Sequence, residues 1–236
     1  MCDLVLGDQA WPDVRTDAVL LIPVGSTEQH GPHLPLSTDT DIAVGICTHL
    51  ANDRTDVVIA PAIAIGASGE HQEFPGTLSI GHEALTTLLV ELVRSASTTF
   101  DRIAIVNAHG GNARALRDVT ERMHREGREI LTWSASYDGG DAHAGRGETS
   151  LMLALRPELV GADRTPGDVR PLRELMPDLR RAGVRAVSPS GVLGDPRDAS
   201  AAEGTALLAG LVHALGAAFQ ARWPDRTSTT TDEEQR

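Results

Sequence analysis

The sequence predicts an α/β fold built on a parallel sheet with helices packed against it. Three observations carry that expectation. Four apolar runs, at 18–24, 57–60, 102–106 and 129–134, read as strands, and the first, Ala18-Val19-Leu20-Leu21-Ile22-Pro23-Val24, lacks the polar alternation of a half-exposed strand. Stretches of helical periodicity separate and follow these runs. The strands also exit into loops rich in glycine, histidine and carboxylates, where α/β proteins place their ligands.

At 236 residues the chain can bury a sizeable core and is read as one domain over 1–223, with a polar tail over 224–236 expected to be disordered. A formal net charge of −12 offers no electrostatic footprint for nucleic acid or an anionic membrane, so the partner expected is a small molecule or a peptide. No stretch reads as long enough to span a bilayer, and Met1-Cys2-Asp3 opens without a basic or apolar signal segment, which predicts a cytoplasmic protein. Cys2 and Cys47 suggest neither a disulfide framework nor a thiolate metal site. Every basic residue is arginine, so no lysine is available for Schiff-base chemistry.

Residues 1–16 read as a surface lead-in. The strand at 18–24 ends at Gly25 and opens the loop Ser26-Thr27-Glu28-Gln29-His30-Gly31-Pro32-His33-Leu34-Pro35-Leu36-Ser37-Thr38-Asp39. In an extended loop Glu28 and His30 point the same way, and Asp39 returns to them after two Pro-bearing turns. Carboxylate oxygen together with imidazole nitrogen suits Zn, Mn or Fe better than Ca or Mg. A helix is predicted from 39 to about 54, with Ile42, Ile46 and Leu50 on one face and Thr38 or Asp39 as cap, so Asp39 has a plain structural reading beside the metal one.

The strand at 57–60 leads to Gly66-Ala67-Ser68-Gly69-Glu70-His71, a loop able either to bind substrate through Ser68, Glu70 and His71 or only to satisfy turn geometry. An amphipathic scaffold helix is predicted over 81–100. The strand at 102–106 runs into Asn107-Ala108-His109-Gly110-Gly111-Asn112 and then a helix carrying Leu116, Val119 and Met123. His109 therefore sits on a glycine turn at the sheet edge, with a buried, satisfied histidine as the competing reading. The strand at 129–134 delivers Asp141, His143 and Glu148, and Glu148 opens an apolar helix, with a plain first-turn helix charge as its competing reading. Residues 156–190 read as a loop with a short helix near 172–181, and a last helix is predicted over 199–221. Three strand ends thus converge: Glu28, His30 and Asp39; His109; His143 and Glu148.

At G-S-T-E-Q-H-G-P-H-L-P with its later D-T-D, N-A-H-G-G-N, and H-A-G-x-x-E-T-S, the chain resembles the creatininase family of amidohydrolases over roughly 18–220. The longer strings G-A-S-G-E-H-Q, G-G-D-A-H-A-G and G-V-L-G-D-P place the resemblance in its mycofactocin-system branch. The resemblance implies a three-layer creatininase-like fold, two divalent metal ions per subunit and a homo-oligomer. It also implies Glu28, His30 and Asp39 as ligands with Asp39 bridging, and His109 completing the shell on the Glu28 side. Creatininase has a further glutamate two residues after that histidine, where this chain has Gly111, so Glu148 is the substitute expected for the second metal. His143 matches the catalytic histidine as proton shuttle, with Asp141 to orient it; Ala142 stands where creatininase has a second acid.

The implied activity is metal-dependent cleavage of a modified ribosomal precursor peptide after glycine. That cut releases a lactam built from its C-terminal Val-Tyr pair. The alternatives are an amidohydrolase acting on another cyclic amide or formamide, and a non-catalytic binding domain.

Overall fold

A computed structural model describes residues 4–137 and 141–224. The expected polar tail, apart from Pro224, and residues Asp138, Gly139 and Gly140 lie outside the described residues. Four parallel strands, β1 (Val19–Val24), β2 (Val57–Ile59), β3 (Arg102–Asn107) and β4 (Ile130–Ser134), form one sheet in the order β2-β1-β3-β4. Helices α1 (Thr38–Asn52), α2 (Gly81–Ala96), α3 (Ala113–Arg125), α4 (Arg146–Leu155), α5 (Leu172–Val187) and α6 (Ala201–Arg222) complete the fold.

All six residues of β1 are buried, and alternate ones enter different cores. Val19 and Leu21 join Ile46, Leu50, Leu151, Leu211 and Leu215 from α1, α4 and α6. Leu20, Ile22 and Val24 join Leu85, Leu89, Leu116 and Val119 from α2 and α3. Two cores on opposite faces of one sheet make three layers, which is why β1 shows no polar alternation. The chain leaves β1 through α1 to β2 on one flank, then returns through α2 to β3 on the other. The strand order therefore reverses between β1 and β3, the switch point at which open α/β sheets leave a crevice at their carboxyl ends.

Three expectations are corrected. α1 begins at Thr38, so neither Thr38 nor Asp39 is its cap: Ser37 holds the cap position and its hydroxyl donates to Asp41, leaving the Asp39 carboxylate for other partners. The short helix near 172–181 extends to Val187 as α5, broken at Gly183, whose φ of 72° is a left-handed conformation open to glycine. α6 is, by length and composition, apolar enough to cross a membrane, contrary to the expectation that no stretch would be. Here its stripe of Leu208, Leu211, Leu215 and Phe219 packs on the core.

Candidate metal centre

The loops after β1, β2, β3 and β4 meet over the β1/β3 crevice. Asp39, on the first turn of α1, directs Oδ1 to 3.1 Å from His30 Nε2 and Oδ2 to 3.1 Å from His109 Nδ1. Ser26 donates to Oδ2 at 2.6 Å. Glu28 places Oε2 3.2 Å from His109 Nε2 and Oε1 3.3 Å from His71 Nε2 and 3.8 Å from His143 Nδ1. Glu148 Oε2 stands 3.9 Å from His30 Nε2 and accepts the backbone N–H of Ala144 at 2.6 Å, so it both ties the start of α4 and faces the cluster. Ala144 holds a φ of 53°, unusual for a residue with a Cβ, and that bend turns the loop so that the amide meets Glu148.

Metal-competent donors fall into three groups, each with ligand atoms within 4.8 Å of one another: Glu28, Asp39 and His109; His30, His143 and Glu148; and Glu28, His71 and His143. Both Glu28 oxygens are fully buried, and among the described residues neither has a hydrogen-bond partner. A buried carboxylate without a hydrogen bond, faced by imidazoles, calls for positive charge beside it. The arrangement therefore fits divalent ions on either side of Asp39, each side offering oxygen and imidazole nitrogen.

The electrostatics agree. Burial pushes the Glu28 carboxyl up to about 7 against the pull of His109. Burial also opposes charge on His30 and His109, yet the carboxylates prevail: Asp39, Glu148 and Glu28 raise His30 to about 9, and Glu28 and Asp39 raise His109 to about 10. Against its own burial, Asp39 is held well below the usual carboxylate range by those two imidazoles. The carboxylates thus draw positive charge into a dry site. Divalent cations would supply that charge with both imidazoles neutral.

His143 and His71 behave differently. Burial, with His30 and His71 beside it, holds His143 well below the imidazole range, and burial brings His71 to about 3. His143 Nε2 donates to the Gln29 carbonyl at 2.7 Å, which leaves the lone pair on Nδ1 facing Glu28. Its backbone forms a two-bond bridge with Leu193, so the 191–196 segment fixes where the imidazole sits. Asp141 does not orient His143 as expected. Its Oδ2 accepts the backbone N–H of Arg146 at 2.7 Å and of Asp195 at 3.0 Å, binding two loops together.

Of the residues expected to contact substrate, Ser68 is buried with Oγ 3.4 Å from His109 Nε2 and Glu70 lines the cavity wall, whereas His71 lies within the cluster itself. Sequence reasoning missed Gln29. Its amide donates to His71 Nδ1 at 2.8 Å and to the Gly191 carbonyl at 3.2 Å, so it sets the His71 tautomer. Asn112 was also missed: buried, it accepts from Ala67 N and donates to Gly25 O and Asn107 Oδ1, tying the exits of β1, β2 and β3 together. The only signal available was a polar side chain flanking each histidine motif. Gly111 has a steric reason, since a Cβ there would stand 2.3 Å from His109 Nε2 and 2.4 Å from the Ala67 carbonyl. This backbone has no room for a glutamate at that position.

The cluster floors a cavity of about 880 Å³, and a second of about 520 Å³ adjoins it, sharing Ala142, Glu148 and Leu172 and bounded by Tyr137 and Pro171.

The creatininase family profile, described as creatinine amidohydrolase, matches residues 7–219. The chain is similar to a mycofactocin precursor peptide peptidase from Mycobacterium ulcerans (strain Agy99), 52% identical over 212 residues, which cover 86% of this chain and 82% of that protein. It is 27% identical over 271 residues to a creatinine amidohydrolase from Pseudomonas putida, covering 93% and 97%. Among solved structures, one described as creatininase Mn superposes with a TM-score of 0.76 at 25% identity, covering 94% of this chain and all of that one. Motifs, three-layer fold and profile agree, and the chain belongs to the creatininase family.

Proposed function

We propose that the chain is a metal-dependent peptidase that hydrolyses the amide bond after glycine in the modified C-terminus of the mycofactocin precursor peptide, releasing the Val-Tyr-derived amino-lactam. The observation that carries the chemistry is the pair of buried, unsatisfied Glu28 oxygens beside Asp39, whose two oxygens face different histidines. The substrate follows from the 52% identical relative that bears that name.

In this reading Glu28, Asp39 and His109 would hold one divalent ion and His30, Asp39 and Glu148 another, with Asp39 common to both sets. Divalent ions there, Zn, Fe or Mn, would supply Lewis-acid chemistry for amide hydrolysis. Glu148 stands in for the glutamate that Gly111 excludes. His143, kept neutral by burial and with its Nδ1 lone pair directed into the cluster, takes a proton at that atom and passes it to the leaving nitrogen. A depressed pKa suits this second step, because the imidazolium gives its proton up readily. Gln29 and the Leu193 bridge hold the ring in place. The two adjoining cavities give room on both sides of the scissile bond, with Tyr137 and Pro171 beside the space left for a compact lactam.

Mass spectrometry of the modified precursor peptide, incubated with metal-loaded protein, tests the reading. Loss of the lactam mass with a new C-terminal glycine is expected; an intact peptide under conditions where creatinine or a formamide is hydrolysed would overturn it.

A further inference from the structure

The mouth of the larger cavity carries three arginines, Arg114 and Arg117 from α3 and Arg180 from α5, and all three are exposed. Among the described residues none of the three makes a hydrogen bond or ion pair, although arginines elsewhere in the molecule are mostly engaged with carboxylates or carbonyls. The acids at helical spacing do not neutralise them: among the described residues Asp118 and Glu121, one helical turn after Arg114 and Arg117, form no ion pair with them, and Asp178 is paired with Arg181.

Helix stability does not explain their placement. Arg114 lies in the first turn of α3, which has no acidic residue, so its charge meets the positive end of the helix dipole. Three unpaired cations at one opening, in a chain of net charge −12, mark a place built to receive negative charge.

We propose that Arg114, Arg117 and Arg180 form a clamp for an acidic segment of the peptide substrate, upstream of the bond to be cut. This rests on the peptidase reading. The argument for a peptide is positional. The guanidiniums are exposed on α3 and α5 around the larger cavity while buried metal-competent donors form its floor, so a chain that enters between α3 and α5 with its C-terminus first runs past them. Forked guanidinium donors favour carboxylates through paired hydrogen bonds, so Asp or Glu side chains within a few residues of the cleavage point are the groups held.

The test is equilibrium binding, which does not require turnover. The precursor segment preceding the scissile bond, labelled with a fluorophore, is titrated with wild-type protein and with the Arg114→Gln, Arg117→Gln, Arg180→Gln triple variant, reading anisotropy at low and moderate salt. The expected result is an affinity about tenfold or more weaker for the variant, with a flattened salt dependence. A copy of the segment with its acids changed to amides should bind wild type no better than the variant binds the original. Unchanged metal content and Tm would show that the variant folds, as expected for three exposed side chains. Equal affinity of the two proteins for the acidic segment would overturn the proposal. So would a single-stranded oligonucleotide bound as tightly, and with the same arginine dependence. Cleavage of the modified peptide by wild type is read separately: its failure with arginine-dependent binding intact would strike the peptidase reading and leave the clamp standing.

Discussion

Asp39 presents one oxygen to His30 and the other to His109, both at 3.1 Å, the two-sided arrangement on which the proposed bridging role rests. Asp39→Ala should therefore empty both metal positions, whereas Glu148→Gln should weaken or lose one; elemental analysis of the purified variants checks both, and full occupancy in Asp39→Ala would refute bridging. His143→Ala should keep its metal and fold while losing about 10²–10⁴ in turnover, the range expected of a general acid–base group. Metal lost in step with activity would make His143 a ligand instead, a role its membership of two donor groups allows. The residues that gather in this cluster were legible because histidine and carboxylate spacing at strand ends is a local signal. What each of them touches was not. Asp141 sits two residues from His143 yet bonds to Arg146 and Asp195, and His71 folds from a supposed substrate loop into the cluster. Gln29 makes its contacts to residues 42 and 162 positions away, pairings that exist only once the chain has closed.

The elements divide into a rigid frame and an attached cover. β1 and β3 pair along their whole lengths and deliver Glu28, His30 and His109 from the switch point, so strand boundaries were readable from apolar runs to within about a residue or two. The 191–196 segment was readable only as a string, because its purpose is to pair with His143 across the site. Gly191→Ala should disturb that arrangement, since φ there is 81° and a Cβ would overlap the Gln29 amide. Activity should fall by more than thermal stability does, read by comparing turnover with Tm. The cover is α5, held through a small separate cluster of Leu175, Val184 and Leu193. Leu175→Ala removes its fully buried anchor. Amide hydrogen exchange should quicken over 172–187 while the strands stay protected, since a satellite cluster opens locally before the domain unfolds. Uniform quickening across the sheet would show that α5 belongs to the main cooperative unit.

Across the whole molecule, the buried charge cluster couples stability, pH and metal. In metal-free protein His30 and His109 sit at about 9 and about 10, above the 6.5 of an unfolded imidazole. Their contribution to stability is therefore full below about pH 6.5 and is lost as pH rises through 9 and 10. His71 and His143, with depressed values, are neutral in both states above pH 7 and do not oppose this trend. The metal-free Tm should fall between pH 7 and 10, while the metal affinity should rise over the same range as those imidazoles release their protons. A metal affinity that is flat or falls with pH would contradict the assignment of His30 and His109 as ligands. The central claim, hydrolysis by a centre of two ions bridged through Asp39, is tested most directly by titrating metal-free protein with a divalent ion and following cleavage of the modified peptide. The account predicts no cleavage without metal and a rise that levels off at two equivalents per chain; a plateau at one equivalent, or turnover by the metal-free protein, would contradict it.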